Sequence, residues 1–157
     1  MRTIKFKAKT LNTGEWIVGD LIHLVDGVYI SNDNGNNMAH VNPDTVCQFT
    51  GFLDKNGKEI YEGDVLRSNT FPFSRTAANV YDNYYGVIGW SDEKALFYMV
   101  AAKNTKSSVK GVSDGIADFI SQKMMHDFEV IGNVHEDERK QNRSIYMMQI
   151  EVSIACR

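Results

Sequence analysis

The sequence predicts a mainly β fold of small coiled sheets, with an SH3-like barrel portion, one short helix and an extra C-terminal strand. Three observations support this fold class. Apolar and polar residues alternate in short runs, as they do in strands that bury one face. Turn-forming residues separate these runs at short intervals, most densely in residues 48–67. Apolar residues at helical spacing predict a helix in one segment, near residue 120.

Residues 1–47 are predicted to form an N-terminal β lobe. In residues 4–9, three apolar side chains alternate with three lysines, which predicts a half-buried strand. Asn12-Thr13-Gly14 then predicts a turn into a second strand that carries Trp16 and Val18. The next hairpin is predicted at Asp26-Gly27, a strong two-residue turn signal between two apolar runs.

Residues 48–67, with the sequence QFTGFLDKNGKEIYEGDVLR, carry the densest turn chemistry in the chain. A predicted strand over residues 46–52 leads into Asn56-Gly57. This pair predicts a type I′ hairpin turn with positive φ at both central positions. Glu62-Gly63-Asp64 predicts a second sharp corner before the next strand. We therefore expect a β-hairpin, a corner and a new strand.

After Arg67 the alternation stops, and it resumes in predicted strands over residues 86–90 and 95–101. We interpret residues 68–85 as an insertion. The order of a Glu-Gly-Asp-Val corner, a long loop, a Gly-Val-Ile strand and a further strand resembles the start of an SH3-like barrel. This analogy is the basis for the barrel portion of the predicted fold.

One helix and one further strand complete the second lobe. Apolar residues at positions i, i+3, i+4 and i+8 predict an amphipathic helix that begins at Ser113 or Asp114. Residues 128–134 predict a strand, with a bulge or close packing at Gly132. The apolar residues of the predicted helix are Ile116, Phe119, Ile120 and Met124.

The tail, residues 137–157, is predicted to contain a charged linker and an extra strand. From Ile145 to Ile154 apolar and polar residues alternate more regularly than anywhere else in the chain. This strand can return to its own sheet or add to the edge of a neighbouring subunit, and both options stay open. The predicted organisation is one domain over residues 1–136, with lobes at 1–47 and 48–136, followed by this tail.

Four segments resemble the YopX family of small proteins encoded by bacteriophages and prophages. They are the run IKFKA at residues 4–8, the 48–67 segment, GVIGW at residues 86–90 and FEVIGNVHE at residues 128–136. The resemblance implies a mostly β structure and a phage origin. It implies no established activity, and the residues that carry it are of structural type. The insertion and the tail depart from the family pattern.

Composition is that of an ordinary soluble globular protein, with 43% hydrophobic and 24% charged residues. The formal net charge of -3 argues against broad electrostatic attraction to nucleic acid. No apolar run of signal-peptide type follows Met1, no apolar stretch has membrane-spanning length, and the two cysteines are far apart. We therefore expect a protein of the host cytoplasm that does not enter a membrane.

No catalytic, metal or cofactor site is predicted. The four histidines lack zinc-motif spacing, and no phosphate-binding glycine motif occurs. Cys47 lies in an apolar strand context that favours a buried, inert thiol. Carboxylates near the corners are candidates for acid–base chemistry. However, Asp54 and Asp64 adjoin turns, where carboxylates bond backbone N–H groups, and Glu59 and Glu62 are expected to face solvent.

Two segments are the predicted recognition surfaces. The insertion carries aromatic side chains around one arginine, which suit base stacking or a partner's pocket, with a mini-core as the alternative. A lysine-rich loop is suited to phosphate contacts, with a solvated loop as the alternative. The candidate binding residues are Phe71, Phe73, Arg75, Tyr81, Tyr84, Tyr85, Lys103, Lys106 and Lys110.

The sequence favours a non-enzymatic binding or accessory module that acts on a host or phage macromolecule. A protein partner is favoured over nucleic acid, and we expect a homo-oligomer without a cofactor. The first alternative is a carboxylate-dependent hydrolase or nucleotide-modifying enzyme that uses groups near Asp64. The second is a self-assembling structural protein joined through its C-terminal strand.

Overall fold

The computed structural model describes residues 3–32, 37–68, 84–102 and 117–136. Within these residues the chain forms antiparallel β-sheets, one 3-10 turn and one four-residue helix. The chain divides after Gly51 into two compact units. The prediction of a mainly β fold is confirmed. The prediction of a C-terminal strand falls on residues outside those described.

The N-terminal unit is built on one antiparallel sheet with the strand order β4-β3-β2-β1-β5. Its strands are β1 (Phe6–Lys9), β2 (Trp16–Leu24), β3 (Gly27–Asn32), β4 (Asn37–His40) and β5 (Cys47–Leu53), with the 3-10 turn at Pro43–Thr45. A single bridge between Thr10 and Val41 ties the end of β1 to the end of β4. The sheet therefore curls on itself, although its described strands do not close as a barrel.

The long strand β2 changes partner at Gly19. It pairs with β1 from Trp16 to Gly19 and with β3 from Asp20 onward. A Cβ atom at Gly19 would lie 2.0 Å from the carbonyl oxygen of Ser31. Glycine is required here because any side chain would push the backbone of β3 away.

The two hairpin turns of this unit follow the predicted chemistry, with one shift in position. The turn at Asn12-Thr13-Gly14 is confirmed, and Gly14 has a φ of +70°. In the next hairpin Leu24 pairs with Gly27, so Val25 and Asp26 form the loop. The prediction placed this turn one residue too late, because Gly27 is already the first residue of β3.

The core of the N-terminal unit lies on one face of this curled sheet. Ala8, Ile30 and Val41 are fully buried at its centre, and Phe6 packs against them. The predicted alternation in β1 is confirmed for Phe6 and Ala8. It is wrong for Ile4, which is 59% exposed because it precedes the strand.

The second unit contains a five-stranded antiparallel sheet with the order β10-β9-β8-β7-β11. Its elements are β6 (Glu59–Tyr61), β7 (Asp64–Ser68), β8 (Tyr84–Ser91), β9 (Leu96–Ala102), β10 (Ala117–Phe119), α1 (Gln122–Met125) and β11 (Glu129–Asn133). Strand β6 lies beside the end of β5. The described strands form no closed barrel, so the SH3-like barrel portion is not confirmed.

The predicted helix is wrong in position and length. Phe119 lies in β10, where it pairs with Tyr98 of β9, so sheet pairing overrides the local helical spacing. The helix α1 begins only after Ser121, whose hydroxyl oxygen accepts the backbone N–H of Met124 at 3.3 Å. Ser121 is therefore the N-cap instead of Ser113 or Asp114.

Strand β11 confirms the predicted closing strand. Its register with β7 shifts between Val130 and Gly132, which is the predicted irregularity. Just before it, Phe128 is 1% exposed in the main core cluster of the second unit. That cluster is formed by Ile60, Leu66, Ile88, Phe97, Met99, Ile120, Met125 and Phe128.

Candidate functional site

Asp54 is a buried carboxylate whose two oxygens both accept backbone N–H groups. The residue is 2% exposed. Its Oδ1 accepts the N–H groups of Asn56 at 2.8 Å and Lys58 at 2.9 Å. Its Oδ2 accepts the N–H of Val130 in β11 at 3.0 Å. The prediction that Asp54 supports a turn is confirmed, and the same side chain also fixes a strand distant in sequence.

The hairpin turn beside Asp54 differs from the predicted type I′ turn. Gly57 has a φ of +79°, whereas Asn56 does not have a positive φ. The N–H of Gly57 donates to the carbonyl of Asp54 at 3.0 Å, and the N–H of Asp54 donates to Lys58 at 2.8 Å. This pattern is that of a three-residue loop in which only the last residue is left-handed. The Asp54 carboxylate favours it by bonding the N–H of Asn56.

The second corner contains a buried pair of polar side chains, Asp64 and Asn133, each 1% exposed. Asp64 Oδ2 accepts the N–H of Tyr61 at 2.8 Å, and Oδ1 accepts the Asn133 amide at 2.9 Å. Asn133 Oδ1 accepts the N–H of His135 at 3.0 Å. Gly63 has a φ of +73°. The prediction of a turn-supporting Asp64 is confirmed, and sequence analysis missed its partner Asn133.

The other two corner carboxylates do not face solvent fully, contrary to expectation. Glu59 and Glu62 are both half-buried. Glu59 accepts the hydroxyl of Tyr61 at 2.7 Å. Burial, followed by this hydrogen bond, raises the pKa of Tyr61. The expectation was wrong because it treated Glu59 without its neighbour two residues along the strand.

A basic surface lies on the N-terminal sheet, on the side opposite its core. We call it the lysine face and define it as Lys5, Lys7 and Lys9 with Trp16 and Val18. In the β1–β2 register Lys7 pairs with Val18 and Lys9 with Trp16. Side chains directly opposite in an antiparallel pair share a face. Phe6 and Ala8 alternate with these lysines and point to the core.

The ammonium groups of the lysine face lie over aromatic rings. Lys7 Nζ and Lys9 Nζ are 4.9 Å and 5.6 Å from the ring centroid of Trp16. Lys5 Nζ is 4.9 Å from the ring centroid of Phe49. The three lysines are half-buried, because their methylene stems cover apolar surface and leave the charged ends at the water boundary. The rings therefore restrict where the positive charges can lie.

The comparisons with known proteins identify the family. The family model described as YopX protein matches residues 4–140. The chain belongs to the YopX family. The resemblance seen in the four sequence segments is confirmed.

No curated protein matches this YopX-family chain. Among solved structures, the crystal structure of protein EF1440 from Enterococcus faecalis is similar to it. The two share 21% sequence identity with a TM-score of 0.48, and the match covers 90% of this chain and 100% of that chain.

Most of the candidate binding residues predicted for this YopX-family chain lie outside the described residues. They are Phe71, Phe73, Arg75, Tyr81, Lys103, Lys106 and Lys110. Tyr84 and Tyr85 begin β8, where Tyr84 pairs with Ser68 and Tyr85 with Arg67. Strand β8 thus starts earlier than predicted, and Tyr85 is half-buried. The insertion stays a predicted recognition surface.

Other candidate chemistry is accounted for by local contacts. Cys47 is 1% exposed, and its thiol donates to the carbonyl of Thr45 at 3.4 Å, so the prediction of a buried thiol is confirmed. Among the described residues, no three His, Cys, Asp or Glu side chains come together as metal ligands. None of the helices in the described ranges is long and apolar enough to cross a membrane.

A charged cluster joins β7, β11 and the first hairpin turn of the second unit. Glu129 Oε2 lies 2.7 Å from Lys55 Nζ. Its Oε1 accepts Arg67 Nε at 2.7 Å and also bonds the Arg67 Nη2 group. The Glu129 side chain is only 17% exposed. The hydrogen bond from Lys55, followed by that from Arg67, lowers the pKa of Glu129.

Glu129→Gln is expected to remove a pH-dependent part of the stability. The lowered folded-state pKa means that the stabilisation is fully present above the unfolded-state pKa of about 4.3 and is lost as pH falls through the folded-state pKa. At pH 7 the wild type should be more stable than the variant by about 1 kcal/mol. Urea unfolding at several pH values should show this difference shrinking toward zero in acid.

The matched control for that measurement is Glu93→Gln, which changes an exposed carboxylate in the β8–β9 turn. It should leave the free energy of unfolding unchanged at pH 7. A wild-type advantage over Glu129→Gln that stays constant from pH 7 into acid would contradict the assigned cluster.

Proposed function

We propose that this YopX-family chain is a non-enzymatic binding module that acts on a host or phage macromolecule in the host cytoplasm. The lysine face is the observation that carries this proposal. It places three positive charges in one row on a chain whose formal net charge is -3. Val18, which is 41% exposed, adds apolar surface beside Lys7. Charges and apolar groups together are the usual composition of a recognition surface.

The carboxylate contacts support binding over the enzymatic alternative. A general base must reach a substrate proton with a carboxylate oxygen. Both oxygens of Asp54 accept backbone N–H groups, and both oxygens of Asp64 accept donors from the protein. The two residues are also 2% and 1% exposed. Their geometry is that of groups that hold corners together.

Replacing Lys5, Lys7 and Lys9 together with glutamine is expected to abolish partner capture. Each surface charge pair contributes up to about 1 kcal/mol, so losing three should reduce capture at least about tenfold. The tagged full-length chain would be immobilised and exposed to extract of infected host cells. Retained proteins would be quantified by mass spectrometry, and retained nucleic acid by its absorbance after protease digestion.

The matched control is the triple variant Lys58→Gln, Lys94→Gln and Lys123→Gln. These three lysines are exposed in the second unit, and their loss changes the net charge by the same amount. The control should retain the partner at wild-type level. Equal capture by the control and the lysine-face variant would overturn the proposal, as would chemical conversion of the partner by the purified wild-type chain.

A further inference from the structure

We propose that the lysine face binds an extended acidic polypeptide segment that carries carboxylates on alternate residues. This inference rests on the proposed binding function and adds the chemistry and conformation of the partner. It is carried by the spacing of the three lysines, by the occupied face of Trp16 and by the flanking groups on β2.

The lysines form a row with the repeat of an extended chain. Lys7 and Lys9 lie within β1, and the ladder continues to Lys5, whose carbonyl accepts the N–H of Phe49 at 2.9 Å. Alternate residues of a strand recur at roughly 7 Å on the same face. An extended peptide has the same repeat, so alternate Glu or Asp side chains can meet successive lysines.

The aromatic ring of the lysine face is engaged by cations. Single-stranded nucleic acids are held by aromatic rings on which bases stack. Two ammonium groups lie over the Trp16 ring, from Lys7 at 4.9 Å and Lys9 at 5.6 Å. The neighbouring Val18 is aliphatic and offers contact to a side-chain methyl group instead of a stacking surface. These features favour a polypeptide over a nucleic acid.

The lysine row is also short. Asp20 is exposed on β2, two residues beyond Val18, so a negative charge lies past one end of the row. Side chains two residues apart on a strand share a face. A continuous polyanion that extends past the row meets this repulsion, whereas a short acidic segment does not. The geometry therefore favours a brief acidic segment within a longer polypeptide.

Trp16 gives a direct signal for the test. The chain has two tryptophans, and the second, Trp90, packs against Phe97 in the second unit. The full-length Trp90→Phe variant leaves Trp16 as the fluorescent reporter. It would be titrated with a short peptide of alternating glutamate and threonine. A peptide of the same composition with its glutamates contiguous, and an oligothymidylate of the same length, serve as competing probes.

The alternating peptide is expected to change Trp16 fluorescence saturably and to bind about fivefold more tightly than the contiguous peptide, because more of its carboxylates meet lysines. Adding Lys7→Gln should weaken binding about fivefold, whereas adding Lys58→Gln should leave it unchanged. Binding should also weaken as salt rises, since the charges lie at the water boundary.

Three results would overturn the inference. Equal binding of both peptides would remove the alternating arrangement. Tighter binding of the oligothymidylate would make the partner a nucleic acid. Binding of none of the probes would exclude an acidic peptide ligand, and lysine-dependent capture from cell extract would then still uphold the proposed binding function. Failure of that capture as well would overturn both.

Discussion

Asp54→Ala is expected to lower the free energy of unfolding by about 3 kcal/mol or more. The substitution removes the acceptor for the N–H groups of Asn56, Lys58 and Val130. A buried donor left without a partner costs about 1–3 kcal/mol. The carboxylate is 2% exposed, so water does not readily replace it. Urea unfolding of the full-length chain at pH 7, followed by fluorescence and circular dichroism, measures the change.

Asp54→Asn is the matched variant because it preserves the shape of the side chain. Its amide oxygen can still accept the N–H groups of Asn56 and Lys58, while its NH2 group faces the N–H of Val130. The loss should be smaller, about 1–2 kcal/mol. An Asp54→Ala protein within about 0.5 kcal/mol of wild type would show that these three hydrogen bonds do not hold the corner.

The short-range features of this fold could be predicted because their causes are local. A turn at Asn12-Thr13-Gly14 and a bulge at Gly132 follow from residues at those positions. The capping role of Asp54 on Asn56 is equally local. Its bond to Val130 is not, because the two residues are 76 positions apart. No pattern in one segment specifies which distant N–H group will complete the carboxylate.

The wrong helix prediction has the same origin. Ile120 and Met124 do belong to the apolar side of the second unit, so the amphipathic pattern correctly identified core residues. It assigned them one period, although β10 pairs with β9 before α1 begins. Pairing with a neighbouring strand decided the conformation of Phe119, and the neighbour lies outside the window that periodicity examines.

The lysine face was visible in the sequence only as the polar side of a strand. Three lysines at alternate positions predict a solvated face, which is their common role. What defines the surface is the β1–β2 register, which places Trp16 opposite Lys9 and Val18 opposite Lys7. The available signal was a tryptophan and a valine at alternate positions in the second half of a predicted hairpin. Combining the two strands would have identified this surface.

The segments that carry the family resemblance bond to each other within the second unit. Asp54 accepts from Val130, and the N–H of Lys55 donates to the carbonyl of Phe128 at 2.8 Å. Asp64 accepts from Asn133 at 2.9 Å. The 48–67 segment and the closing run are thus two sides of one hydrogen-bonded structure. This arrangement gives a physical reason for both segments to occur together without a shared catalytic role.

Asp64→Ala and Asn133→Ala are each expected to lower the free energy of unfolding by about 2 kcal/mol, and the double variant by less than the sum. Each single change strands a buried partner, because the Asn133 amide donates to Asp64 Oδ1. The double change removes both ends of that hydrogen bond. A coupling energy of about 1 kcal/mol is therefore expected from urea unfolding of the four proteins.

The control cycle pairs Asp64→Ala with Gln122→Ala. Gln122 bonds the backbone of Leu53 through both ends of its amide, at 3.1 Å and 2.9 Å, so its loss acts at a different place. These two changes should add within about 0.5 kcal/mol. Additivity in the Asp64–Asn133 cycle as well would mean that the two signature segments are joined through their backbones alone. Coupling confined to Asp64 and Asn133 would instead locate the connection in that buried pair, and would explain why an acid and an amide occupy a corner where neither reaches solvent.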